Sequence, residues 1–217
     1  MKYKAVFFDL DGTLLDTLAD IANSMNGVLA KAGYPTHPVD AYKYFIGEGL
    51  EALVRKTLPK EDATPANIAK HFAEMKDVYH DHWKDTSRPY EGIVELLGEL
   101  KKMNLPVCVL SNKAHEFTSI MIQELIPDYK FAIVNGSFPD KPKKPDPTLA
   151  LSMVEKLGVK PEEVFYIGDT DTDMQTANNA GFYAVGALWG FRLEDELVSN
   201  GARILIKHPM DALQYMK

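Results

Sequence analysis

The sequence predicts an α/β protein: a doubly wound, Rossmann-like parallel sheet interrupted by a small all-helical insert. Three observations carry this. Short apolar runs recur along the chain and stop at polar clusters, as in "KAVFFDL" (4–10), "LPVCVLSN" (105–112) and "EVFYIGD" (163–169). Strands buried on both faces of a parallel sheet read this way, without the alternation of a half-exposed strand. Helical patterns lie between those runs, and from Asp16 to about Pro89 only helical patterns occur.

In chain order, "KAVFFDL" is the first strand. "LADIANSMNGVLAKAG" (18–33) follows as an amphipathic helix, apolar at 18, 21, 25, 28, 29 and 32. Asp16 stands where it can cap that helix. "GLEALVRKTL" (49–58) and "TPANIAKHFAEMKDVYHDHWKD" (64–85) also read as helices. The chain therefore divides into a core, residues 1–15 and 90–217, and a helical cap, residues 16–89.

In the second part of the core, "GIVELLGELKKM" (92–103) is apolar at 93, 96, 97 and 100, with lysines in its last turn. "LPVCVLSN" and "FAIVNGS" (131–137) are strands, and "FPDKPKKPDP" (138–147) is a loop. "DPTLALSMVEKLG" (146–158) has Pro147 at a first turn and Gly158 at a C-cap. After "EVFYIGD", "MQTANNAG" (174–181) is a helix ending on glycine. "YAVGAL" (183–188) and "RILIK" (203–207) complete the sheet.

Composition narrows function. The 217 residues are 46% hydrophobic and 25% charged, with net charge -7, so there is no basic footprint for nucleic acid or an anionic membrane. The single cysteine, Cys108, excludes an intrachain disulfide, reads as a buried thiol and suits a cytoplasmic protein. The first apolar run is too short for a signal-peptide core, and no run approaches the roughly 20 residues of a membrane span.

Ligands of an open α/β sheet bind beyond the carboxyl ends of its strands. Asp9, Asp11, Ser111, Lys144 in the proline loop, Asp169, Asp171 and Asp173 fall there. "DLDGT" (9–13), "LSN" (110–112), "KKPDP" (143–147) and "GDTDTD" (168–173) together resemble, in order, the four motifs of the haloacid dehalogenase-like hydrolase superfamily. The resemblance covers essentially the whole chain. "YFIGEGL" (44–50) and "LWGFR" (188–192) further resemble segments of its phosphoglycolate phosphatase-like branch.

That resemblance implies a Mg²⁺-dependent phosphatase working on a small phosphomonoester through an aspartyl-phosphate. Asp9 is the implied nucleophile and Asp11 the proton donor to the leaving alcohol, then the base for water. Ser111 and Lys144 hold the phosphoryl group, with the Asn112 N–H beside them. Lys144 is preferred over Lys141 and Lys143 because it directly precedes Pro-Asp-Pro. Leu10, Gly12 and Thr13 form the phosphate-facing turn, Gly12 allowing its N–H groups to face the oxygens. Aspartates crowded in one cleft raise one another's pKa unless a hard cation intervenes, and oxygen ligands suit Mg²⁺. The implied ligands are Asp9, the Asp11 carbonyl, Asp169 and, directly or at one remove, Asp173. Asp171 is read as a solvated turn residue.

Asp11 separates the chain from the dehalogenases, whose halide leaving group needs no proton. A helical insert after the first motif suits a small soluble phosphorylated metabolite, with Gly47, Glu48 and Gly49 as its substrate contacts. Arg55, His80, His82 and His115 read as surface residues, and Trp189 and Phe191 as packing. A sugar phosphomutase of the β-phosphoglucomutase kind, a pyrophosphatase and a non-catalytic phosphate-binding regulator are the alternatives. A monomer or homodimer is expected.

Overall fold

The computed structural model describes residues 2–216. The elements are β1 (Ala5–Phe8), β2 (Leu15–Asp16), α1 (Leu18–Lys31), α2 (Tyr42–Phe45), α3 (Leu50–Thr57), α4 (Pro65–His82), β3 (Arg88–Pro89), α5 (Ile93–Lys102), β4 (Val107–Ala114), α6 (His115–Leu125), β5 (Ile133–Ser137), α7 (Thr148–Leu157), β6 (Val164–Gly168), α8 (Asp171–Ala180), β7 (Tyr183–Ala187), α9 (Glu194–Ser199) and β8 (Ile204–Ile206). They form two units. One combines the residues up to Leu15 with those from Pro89 onward; the other runs from Asp16 to Arg88.

The first unit is built on a six-stranded sheet in the order β5-β4-β1-β6-β7-β8, with every neighbouring pair parallel. Its strands are apolar because helices cover both faces. Phe7, Phe8, Phe165 and Tyr166 are fully buried. Cys108 lies in the same core, among Phe7, Leu110 and Tyr166, and burial pushes its thiol up to about 12. From β1 the chain proceeds outward through β4 and β5, then returns to the other side of β1 with β6. That reversal opens a crevice at the carboxyl end of β1.

The second unit is helical. α1 packs on α4, and α4 on α3. Met25, Leu29, Tyr42 and Met75 are fully buried. A buried carboxylate ties this unit together. Asp20 in α1 accepts from the Thr86 N–H (3.0 Å to both oxygens) and hydroxyl (2.6 Å), and from the Ser87 N–H (2.8 Å) and hydroxyl (2.7 Å). Burial opposes its charge, but these donors hold its carboxyl below the usual range.

Several local expectations differ from the structure. α1 takes Thr17, not Asp16, as its N-cap residue, with no side-chain cap bond; Asp16 faces Arg88 at 3.8 Å. β4 does not stop at Asn112 but continues to Ala114, across a register irregularity after Leu110. α8 starts at Asp171, three residues before the apolar pattern, because Thr170 caps it. The Thr170 hydroxyl accepts from the Asp173 N–H at 3.2 Å, and the Asp173 carboxylate returns the bond to the Thr170 N–H at 3.0 Å. Asp171 is therefore a first-turn helical residue and not a turn residue, though its side chain stays in contact with solvent, 3.6 Å from Arg192.

Candidate active site

β1 ends in Asp9, whose N–H is anchored by the Ile167 carbonyl of β6 at 3.0 Å. The chain then turns sharply. The Leu10 carbonyl accepts from the N–H groups of Thr13 (3.3 Å), Leu14 (3.0 Å) and Leu15 (2.9 Å), and the Gly12 N–H donates to the Leu15 carbonyl at 2.9 Å. Gly12 has φ 86°, and a Cβ there would lie 2.3 Å from Asp169 Oδ2. This corrects one expectation. The Gly12 and Thr13 N–H groups close the turn instead of facing a phosphate, because the tight loop consumes them. The Thr13 hydroxyl is likewise used, donating to Asp169 Oδ1 at 2.7 Å.

Lys144 is the centre of the cluster. Its Nζ lies 2.7 Å from Asp9 Oδ1, 2.7 Å from Asp173 Oδ1 and 3.3 Å from the Tyr166 hydroxyl. Its main chain is gripped by the Asn112 side chain, which accepts from the Lys144 N–H at 2.9 Å and donates to the Lys144 carbonyl at 3.0 Å. Lys141 and Lys143 are exposed. Asp173 receives donors on both oxygens: Lys144 and the Tyr166 hydroxyl on one, and the Asp169 N–H, the Thr170 N–H and the Thr170 hydroxyl on the other.

Asp9, Asp169 and Asp173 each bring a carboxylate oxygen within 4.8 Å of the others, and all three are buried. Burial, then the Asp173 charge, push Asp9 up to about 7 against the pull of Lys144. Burial and the Asp173 and Asp9 charges push Asp169 well above the carboxylate range. Burial also opposes the charges of Asp173 and Lys144. Their mutual contact, with the other donors to Asp173, nevertheless holds Asp173 low and Lys144 high. With all three ionised, one ammonium would leave two negative charges to balance, the demand a hard divalent cation among oxygen donors meets.

Asp11 is not one of that trio, and it pairs with a different lysine. Both its oxygens accept from Lys113 Nζ, at 3.0 and 3.2 Å. Lys113, Tyr166 and Thr170 were not singled out from the sequence. Only Thr170, three residues before Asp173 in a T-x-x-D pattern, carried a legible signal. Ser111 is buried on β4, its hydroxyl accepting from the Lys113 N–H at 3.2 Å. His115 opens α6, with its Nδ1 accepting from the Gly136 N–H at 3.3 Å and its ring 4.6 Å from Phe138.

In the helical unit, Gly47, Glu48 and Gly49 connect α2 to α3, and Glu48 accepts from Lys56 Nζ at 2.6 Å. Arg55 is exposed on α3. His80 and His82 are exposed and pair with Asp81 and Asp85.

An open parallel sheet with buried carboxylates and a lysine at its switch point defines a doubly wound α/β enzyme. The family model described as haloacid dehalogenase-like hydrolase matches residues 6–187. A phosphoglycolate phosphatase of Thiobacillus denitrificans is 37% identical over 185 residues, covering 83% of this chain and 81% of that protein. An N-acetylmuramic acid 6-phosphate phosphatase of Pseudomonas aeruginosa is 31% identical, covering 100% and 96%. A crystal structure from Lactobacillus delbrueckii subsp. bulgaricus superposes with TM-score 0.93 at 28% identity, covering 100% and 99%. The chain belongs to the haloacid dehalogenase-like hydrolases and groups with their phosphoglycolate phosphatase-like branch. Among the described residues, no helix is long and apolar enough to cross a membrane.

Proposed function

We propose that the chain is a phosphatase that hydrolyses a small phosphomonoester through an aspartyl-phosphate on Asp9. The observation that carries this is the position of Lys144, 2.7 Å from both Asp9 and Asp173. Asp173 fixes the ammonium, the Asn112 side chain fixes the Lys144 main chain, and the ammonium fixes one oxygen of Asp9. The other oxygen of Asp9 attacks phosphorus, and the phosphorus–ester oxygen bond breaks. Asp11 gives its proton to the departing alkoxide. A water then attacks the same phosphorus and gives a proton to Asp11 as the phosphorus–Asp9 bond breaks, releasing inorganic phosphate. Ser111 and Lys144 hold the phosphoryl oxygens throughout.

Asp9, Asp169 and the Asp11 carbonyl are the groups that would hold Mg²⁺, which neutralises charge on the nucleophile and on the phosphoryl oxygens when bound. Asp173 already accepts from five donors, more than the roughly four lone-pair sites of a carboxylate, so its part is to position Lys144 and the 169–170 turn. Lys113 orients Asp11, and Leu10 supplies the carbonyl around which the turn closes.

The substrate is a small phosphorylated metabolite, 2-phosphoglycolate first and a sugar 6-phosphate second, following the two named relatives. Gly47, Glu48 and Gly49 contact its leaving group. The protein works in the cytoplasm as a monomer or homodimer. The test is phosphate release over a panel containing both substrates, with Mg²⁺ and with chelator. Asp9→Asn is expected to reduce turnover by at least about a thousandfold. Undiminished turnover in that variant would remove Asp9 as nucleophile, and isomerisation of a sugar phosphate without phosphate release would indicate a mutase.

A further inference from the structure

The segment Leu188–Arg192 reads from the sequence as packing, yet it touches the acidic cluster at several points. The Phe191 N–H donates to Asp169 Oδ2 at 2.8 Å, and the Arg192 N–H donates to the Asp169 main-chain carbonyl at 3.3 Å. The Trp189 indole N–H donates to the Thr13 carbonyl at 3.0 Å, while the Thr13 hydroxyl donates to Asp169 Oδ1 at 2.7 Å. A Cβ at Gly190 would lie 2.2 Å from Asp169 Cβ. The far end of the segment is itself tied down, with Arg192 Nε 2.9 Å from Glu196 and 3.6 Å from Asp171.

We infer that this segment is a clamp that fixes the Asp169 carboxylate and thereby sets the affinity of the site for its divalent cation. Each Asp169 oxygen is reached by a donor that the clamp either supplies, through Phe191, or steadies, through Trp189 and Thr13. A carboxylate held in one orientation pays less ordering entropy when it ligates. Partners behind a metal ligand typically change affinity by about 10–100-fold when removed. Trp189 and Arg192 are thus positioning residues that act through Thr13 and Phe191, and Gly190 is the position that lets the backbone approach.

The inference rests on the cation reading proposed above, and calorimetric titration of Mg²⁺ into metal-free protein separates the two. Trp189→Phe keeps the aromatic bulk and removes the N–H. Its Mg²⁺ affinity is expected to fall about tenfold. Thr13→Val is expected to fall at least as far, and Thr13→Ser, which keeps the hydroxyl, to stay within about threefold of wild type. Melting of the metal-free forms is measured alongside, because a merely structural role would lower the melting temperature without moving affinity. Wild-type binding with unchanged affinity in Trp189→Phe and Thr13→Val overturns the clamp. Absence of Mg²⁺ binding by wild type overturns the cation reading and the clamp with it.

Discussion

Lys144 is 8% exposed, and its ammonium is the counter-charge in direct contact with Asp9 and Asp173. Replacing it by methionine keeps most of the volume and removes that charge. Breaking a buried ion pair from one side costs about 3–5 kcal/mol. Lys144→Met is therefore expected to lower the urea midpoint of the metal-free protein by that equivalent, with Mg²⁺ restoring part of the loss. Asp9, Asp11, Asp169 and Asp173 were legible as candidates because carboxylates following apolar strands have no packing role. Tyr166 was not: in "FYIGD" it reads as one more core aromatic. Its hydroxyl meets Asp173 and Lys144 only once β6, α8 and the proline loop converge. Asn112 was singled out for its N–H, but its side chain does the visible work by gripping the Lys144 main chain, a contact 32 residues away in sequence.

At the scale of elements, α1 offers two tests. Gly27 lies in its interior, and a Cβ there meets nothing within 4 Å. Gly27→Ala is expected to stabilise by about 0.5–1 kcal/mol, read from the urea midpoint. Asp20 acts oppositely. Asp20→Asn removes the charge that accepts the Thr86 and Ser87 donors and is expected to cost about 2–3 kcal/mol. Because the folded-state pKa of Asp20 is depressed, its contribution is present above the unfolded value and is lost as pH falls through the folded one. The gap between wild type and Asp20→Asn should therefore narrow below about pH 4. Periodicity located the helices of this unit but not this tie, since Asp20 and Ser87 lie 67 residues apart. Periodicity also missed the early start of α8, since the apolar pattern begins only at Met174; the legible signal there was the T-x-x-D capping box of Thr170 and Asp173.

For the molecule as a whole, the acidic cluster couples stability to pH and metal. Asp9 is pushed up to about 7 in the fold, above an ordinary value near 4. Between those values the folded state binds the extra proton, so the metal-free protein loses stability as pH rises through this window. Asp169 acts in the same direction. Lys144, held above its ordinary value, keeps its contribution across this range and loses it only in strong alkali. The rise in melting temperature on adding Mg²⁺ should therefore be larger at pH 8 than at pH 5, since no proton then competes for the carboxylates. An equal rise at both values would contradict the arrangement of charge described above. The parallel sheet and the candidate residues at its strand ends followed from the apolar runs and their polar ends; the strand order, which places the crevice beside β1, did not. The network between the motifs required side-chain directions that a one-dimensional pattern does not carry.

The sole thiol of the chain, Cys108, sits fully buried on β4 with its ionisation suppressed. It can meet an alkylating reagent only when the sheet itself comes apart. The native protein thus carries a built-in stopwatch for global opening, and its labelling rate in dilute denaturant should follow the unfolding equilibrium. The same concealment makes the molecule a ready host for spectroscopy. A cysteine introduced at any exposed position could be tagged selectively, without first removing the one that is there.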